Sequence, residues 1–380
     1  MSNSNLITIG FAKEALKPNS REWARFQSYA KELESYHSIV LTTKRDNLPE
    51  RLESGNLVVY GTNTVTKIGA LVKAVRLGRA IAKNSTDEFV VSSQDPFETG
   101  LAAWLISFAR NCRLHVQLHG DFFGRYWVKE KLNNRLRQMF GLWLIKKADK
   151  IRVVSSRIAK SLQQRGVSKD RITVQPVSVS LQSFLAVGEN RVYRGEGCNF
   201  IYLGRFAREK NLLALIEAFG LVSEESANST LTLVGRGPEK KVIKEKLGEL
   251  NLTNKVLIKA WVEDVPSELA KAEVFVLPSW HEGYALVLLE AIATGLPVVT
   301  TDVGCVGECV IHQENGLVAE PTAKALGQAM LEYTREYKLR EVHGKAGHSK
   351  AKEISLMQSE YVKQWVMSFG LTPGYNSENG

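Results

Sequence analysis

Short apolar runs alternate with longer amphipathic segments along nearly the whole chain, and the alternation occurs twice. In the first half the runs are LITIGF (6–11), SIVLT (38–42), LVVYG (57–61), FVVSS (89–93), LHVQLH (114–119), KIRVV (150–154) and ITVQP (172–176). Most are separated by segments of helical period. One of these, 96–112, opens with Pro96 and carries Leu101, Trp104, Leu105 and Phe108 at i, i+3, i+4 and i+7. Continuous apolar strands alternating with helices predict a parallel sheet covered on both faces. The pattern breaks over 177–198, a mixed, Gly- and Ser-containing stretch that reads as a hinge. It resumes at 199–205, with further runs at 229–235, 255–260, 273–278 and 297–301, and helices between about Lys210 and Val222, up to about Leu250, and from about Ala285 to Thr294. Residues 322–370 read as helical. The expectation is an α/β chain of two doubly wound, Rossmann-like domains with a ligand cleft between them, followed by C-terminal helices. In such sheets ligands sit beyond the C-terminal ends of the strands.

The length, 380 residues, fits two domains. The sequence opens MSNSNLITIGFAKEALK, without a basic leader or cleavage site, and reads as a first buried strand. No apolar stretch of about 18 residues is present to span a membrane. Fifty Lys and Arg against forty Asp and Glu give a net charge of +10, which suits anionic partners. The basic residues are dispersed and no nucleic-acid motif accompanies them, so a nucleic-acid partner is not expected. The four cysteines, Cys112, Cys198, Cys305 and Cys309, lack the spacing of a metal finger and are expected to be free thiols in a reducing compartment.

Strand ends single out the residues able to carry chemistry. A buried run closes at Leu277-Pro278. A polar turn, Ser279 to Gly283, follows, and then a helix bearing Glu290. Glu282 is therefore expected beyond the strand end, facing the cleft. Gly283 lets backbone approach a ligand, and the free N–H groups of Gly283, Tyr284, Ala285 and Leu286 make a helix N-terminus suited to phosphate. Glu290 stands among apolar neighbours, where a carboxylate is costly unless a partner such as a ribose diol satisfies it. Gly204, Arg205 and Lys210 come just past another strand, and a guanidinium fork with a lysine point charge can hold a diphosphate. Gly235 and Gly237 follow a third strand. His119 ends a strand in the first half and is followed by Gly120.

With these residues assembled, the sequence resembles the family 4 glycosyltransferases, retaining enzymes of the GT-B fold. The signature is an acid, seven residues and an acid, Glu282 to Glu290, within HEGYALVLLEAIATGLPVV. GRFAREKN, LVGRGP, ADKIRVVSS (148–156) and NGLVAEP (315–321) support it. The resemblance implies an acceptor domain over 1–180, a nucleotide-sugar donor domain over 181–355, and a C-terminal helix in 356–380 that returns to the first domain before a frayed tail. It implies that Glu282 orients the donor sugar, Glu290 holds the ribose, and Arg205 and Lys210 bind the diphosphate. It further places backbone from Gly283 to Leu286 on phosphate or sugar, Trp261 and Val262 near the base, and His119 near donor sugar and acceptor. The sequence departs from the family pattern at Ala285 (usually Gly), Tyr284 (often Phe) and Ala260 (usually Gly). It also lacks a Gly-Gly turn in 10–23, after the first strand.

In the expected reaction a sugar–phosphate bond breaks and a hydroxyl attacks the face that the leaving group vacates. Arg205, Lys210 and helix N-termini answer the charge on the diphosphate. No Asp-x-Asp cluster suits a metal, so transfer without metal or other cofactor is expected. The acceptor is expected to be a glycan or lipid-linked hydroxyl. Segment 121–150 carries eight basic residues against three acidic ones, with Tyr126, Trp127, Phe140 and Trp143 interspersed. It suits an anionic membrane surface, giving a cytoplasmic protein peripheral to the inner leaflet. The competing readings are a nucleotide-sugar hydrolase or epimerase on the same fold and a non-catalytic nucleotide-sugar-binding protein.

Overall fold

A computed structural model describes residues 4–83, 89–130, 133–193, 197–357 and 360–374. Lys131 and the tail from 375 lie outside them, as do the side chains of Arg125 and Glu130. The chain divides into two compact units. One runs to Pro176 and resumes at Glu360; the other is Val177–Ser359.

The first unit is built on eight strands: β1 (Asn5–Gly10), β2 (Ser35–Val40), β3 (Arg51–Ser54), β4 (Leu57–Gly61), β5 (Phe89–Ser93), β6 (Arg113–Leu118), β7 (Lys150–Val153) and β8 (Ile172–Val174). They lie in the order β3-β4-β2-β1-β5-β6-β7-β8. All neighbours are parallel except β3 and β4, an antiparallel pair at the edge. The strand order reverses between β1 and β5, and there the Phe11 amide donates to Gln94 Oε1 at 2.7 Å. A Cβ on Gly10 would lie 2.6 Å from that oxygen. The loop after β1 is thus closed on Gln94, with no Gly-Gly turn.

Helix Arg21–Ala30 buries Trp23, Phe26 and Tyr29 on one flank of this sheet, its first turn capped by Ser20. The last helix, Tyr361–Ser368, joins the same core. Trp365 stacks on Tyr29 at 4.0 Å between ring centroids and stands edge-on to Phe369 at 4.6 Å. Helix Glu98–Arg110 packs differently from most amphipathic helices, which turn their apolar stripe inward. Its buried face is small, Gly100, Ala102, Ala103 and Ser107 with Ile106. Of the stripe of larger side chains, Leu101, Trp104 and Leu105 are only partly buried, and Phe108 is 79% exposed.

The second unit carries β9 (Asn199–Leu203), β10 (Thr230–Val234), β11 (Val256–Lys259), β12 (Val274–Leu277), β13 (Val298–Thr301) and β14 (Gly316–Ala319). All neighbours are parallel, in the order β11-β10-β9-β12-β13-β14. This is the dinucleotide-fold order, with its switch point between β9 and β12. Helices Leu212–Glu225, Leu286–Ala293, Ala323–Arg335 and Tyr337–Met357 belong to this unit, and the stretch read as a hinge contains helix Gln182–Glu189.

One sequence expectation is corrected here. Cys305 and Cys309 are joined in a disulfide rather than free, because the tight turn between them brings their Cα atoms to 5.6 Å. Cys112 and Cys198 are not in a disulfide.

Candidate active site

The switch point of the second sheet gathers the two loops that the sequence singles out. After β9 the chain runs through Gly204 and Arg205 into a short turn at Arg208–Lys210. After β12 it runs from Pro278 to helix Leu286–Ala293. Lys210 Nζ donates to Glu282 Oε1 at 2.5 Å, and Ser279 Oγ donates to the same oxygen at 2.7 Å. Lys210 and Glu282 are 18% and 13% exposed, so the pair is shielded yet reachable. Two residues that sequence reasoning missed hold it in place. Asn211, in the left-handed conformation, donates from its amide to the carbonyls of Pro278 and Pro321, both at 3.1 Å. Ser279 is fully buried, and its carbonyl accepts from Thr301 Oγ1 at 2.5 Å. The asparagine directly after Lys210 and the serine three residues before Glu282 are the only sequence traces of this bracing.

Arg205 stands apart from that pair. Its side chain is 68% exposed and is bonded to Glu209. Burial alone would raise the Glu209 carboxyl, but its backbone hydrogen bond and the Arg205 guanidinium outweigh burial and leave it lowered. Glu209 also accepts the Trp280 amide on its carbonyl at 2.9 Å, linking the two loops.

The helix start after Glu282 is unusual. Ala285 caps it at φ 62°, ψ 59°, where a Cβ costs roughly 1–2 kcal/mol. Behind it, a Cβ on Gly304 would meet the Tyr284 carbonyl at 2.5 Å. The Cys305 amide donates to that carbonyl at 2.8 Å. The amides of Gly283 through Leu286 are not engaged by backbone acceptors among the described residues. Ala285→Gly is expected to stabilise the second unit by about 1 kcal/mol, the relief of strain exceeding the added chain entropy. Equilibrium unfolding in urea measures it.

Glu290 is half-buried, and burial raises its carboxyl above the usual range. No described residue hydrogen-bonds that carboxyl. Gly235 and Gly237 serve the backbone: a Cβ would come within 1.9 Å of the Gly204 carbonyl oxygen and 2.2 Å of that of Phe206. These glycines seat the loop after β10 against the loop after β9. Trp261, 52% exposed, and Val262 follow the edge strand β11. His119 belongs to the other unit, at the end of β6, where its Nε2 lies 3.2 Å from Gln117 Oε1. Among the described residues no cluster of three or more His, Cys, Asp or Glu could hold a metal ion.

Comparison with known sequences gives two matches along the chain. Residues 23–178 match the family described as Glycosyl transferase 4-like domain, and 194–350 the family described as Glycosyl transferases group 1. An uncharacterized glycosyltransferase of Methanocaldococcus jannaschii is 26% identical over 320 residues, 80% of this chain and 83% of that protein. The poly(glycerol-phosphate) alpha-glucosyltransferase of Bacillus subtilis is 28% identical over 170 residues, 44% of this chain but only 25% of that longer protein. Among solved structures, a sucrose-phosphate synthase from Thermosynechococcus elongatus superposes with a TM-score of 0.74 at 20% identity, over 96% of this chain and 100% of that one. Anabaena HepE, solved with UDP-glucose, gives 0.71 at 15% identity, with 96% and 100% covered. These structural likenesses establish the fold.

Proposed function

Because this chain belongs to the group 1, family 4 type of glycosyltransferase, a GT-B enzyme related to polysaccharide and teichoic acid synthases, we propose that it transfers a hexosyl unit from a nucleoside-diphosphate sugar to a hydroxyl of a glycan or lipid-linked acceptor. Transfer retains configuration, needs no metal, and serves cell-surface polysaccharide or glycolipid synthesis. The observation that carries this reading is the Lys210–Glu282–Ser279 cluster at the switch point of the second sheet. The bond to be broken leaves negative charge on a diphosphate and positive charge on a sugar ring. Lys210, Arg205 and the free amides from Gly283 to Leu286 answer the first, without a metal. Glu282, braced by Ser279, answers the second through orientation and field. Glu290 has a carboxyl among apolar neighbours that no described residue bonds and that a ribose diol would satisfy. A hydrolase or a silent binder would use the same donor contacts, so product analysis separates these readings.

A thermal-shift series tests donor binding. The matching UDP- or GDP-sugar at a hundredfold excess over Kd adds roughly 2.7 kcal/mol of stability, and the wrong base adds little. No shift with any nucleotide sugar would overturn the donor assignment.

The membrane part of the proposal rests on an exposed face of the first unit. Phe108, Leu136, Met139 and Trp143 are 79%, 70%, 69% and 42% exposed, and Trp104 links Phe108 and Trp143 at 5.8 and 5.1 Å between ring centroids. Arg110, Arg135, Lys146 and Lys147 are exposed beside them in sequence. An aromatic face edged by cations suits anionic headgroups. Among the described residues no helix is long and apolar enough to cross a membrane. Phosphatidylglycerol vesicles at low salt are expected to sediment the chain, and Phe108→Asp with Trp143→Asp to cut the bound fraction about tenfold. A parent chain that stays in the supernatant refutes this part.

A further inference from the structure

The first unit buries a guanidinium that has no acidic partner among the described residues. Arg152, on β7, is 3% exposed. Its Nη1 donates to Gln117 Oε1 at 2.8 Å and its Nη2 to Tyr361 Oη at 2.8 Å and the Pro176 carbonyl at 3.0 Å. Its Nε donates to the Gln175 carbonyl at 3.2 Å. All four acceptors are neutral. A buried cation satisfied only by dipoles is costly and uncommon, and neither sugar–phosphate chemistry nor the fold calls for one here.

Its consequence lies in direction. A guanidinium can only donate, so the oxygen of the Gln117 amide must face Arg152. The Gln117 Nε2 amide then donates to Ser92 Oγ at 3.0 Å. Ser92 Oγ in turn lies 2.8 Å from His115 Nδ1. The second lone pair of Gln117 Oε1 faces His119 Nε2 at 3.2 Å, and an acceptor oxygen requires that nitrogen to carry the hydrogen. His119 Nδ1 has no protein partner among the described residues. We propose that Arg152 is a positioning residue: as the obligate donor at the head of this chain it fixes His119 as the Nε2–H tautomer and leaves Nδ1 as an acceptor, ready for the O–H of a sugar hydroxyl. The sugar hydroxyl rests on the glycosyltransferase reading above; the tautomer does not.

Electrostatics act in the same sense. Burial first, and then the fields of Arg152 and Arg25, lower His119 to about 3. His115, fully buried beside it, is lowered by burial, Arg152 and His119. The charged or titratable groups acting on His119 are thus Arg152, Arg25 and His115, and none favours the imidazolium.

Two-bond proton–nitrogen spectra of the full chain, labelled at histidine and assigned with His119→Gln, read the tautomer without substrate. In the parent, His119 is expected to show a protonated Nε2, a bare Nδ1 and no titration down to about pH 5. Arg152→Met is expected to mix the tautomers and to move the acid limb of kcat/KM up by about one pH unit, a roughly tenfold loss at its foot. Arg152→Lys keeps a donor and is expected to keep the tautomer. Should Arg152→Met fail to fold, Gln117→Met removes the relay and must also mix the tautomers. A parent His119 protonated at Nδ1, or an unchanged tautomer in both variants, overturns the proposal. An inactive chain with the expected tautomer would instead sink the transfer reading and leave the role of Arg152 standing.

Discussion

Lys210→Ala is expected to lower kcat/KM for sugar transfer by about 100- to 1000-fold, the loss that follows removal of one preorganised charge from a developing anion. Lys210 is shielded and positioned by its bond to Glu282, so its charge acts where water screens it little. Glu282→Gln keeps an acceptor for Lys210 and Ser279 but removes the acid's field, and is expected to cost a comparable factor in kcat with a smaller change in KM. Arg205→Ala should cost less, about tenfold to a hundredfold, because Arg205 is exposed and shared with Glu209. Steady-state kinetics with the donor identified by thermal shift decide this. A Lys210→Ala enzyme within about threefold of the parent would remove Lys210 from the reaction. Circular dichroism must show the variant folded, since leaving Glu282 without its cation also costs stability.

Trp365→Ala is expected to destabilise the first unit by about 3–5 kcal/mol. The indole is 4% exposed and lies against Tyr29, Tyr36 and Phe369. Deleting the chain from Glu360 onward is expected to do more. It strips Tyr361, Trp365, Val366, Phe369 and Leu371 from the core, at roughly 1.5–3 kcal/mol each. That sum is comparable to the whole stability of a domain of this size. The truncated protein should keep a folded second unit and lose cooperative unfolding of the first. Limited proteolysis and urea melts of the two forms measure it. A truncated chain with an intact first-unit transition would show that the helix Tyr361–Ser368 is dispensable.

Strand interiors were readable because buried parallel strands must be apolar on both faces; β4, β5 and the second-unit core strands lie within a residue or two of their runs. The two missed strands lacked that signal. β3, Arg-Leu-Glu-Ser, is a mostly exposed edge, and β14 is four residues following a turn. The site was readable where chemistry and strand ends coincide, as at Glu282 and Lys210. Its bracing was not, because Asn211 and Ser279 act through carbonyls brought near only by the fold. Periodicity identified the helix at Glu98–Arg110 but said nothing of which face is covered, since small residues make the closer packing surface. Arg152 and Gln117 were hidden inside runs read as strands; a charged side chain within such a run was the available clue.

The second unit is an insertion in the first, and this sets the order in which a nascent chain can finish folding. Residues up to Pro176 leave the ribosome first but lack the aromatic helix that closes their core. Val177–Ser359 is continuous and can complete its sheet as soon as it emerges. The amino-terminal half is therefore made first and secured last. Until helix Tyr361–Ser368 emerges, its open flank around Phe26, Tyr29 and Tyr36 is the surface on which holding chaperones would act and from which aggregation would begin.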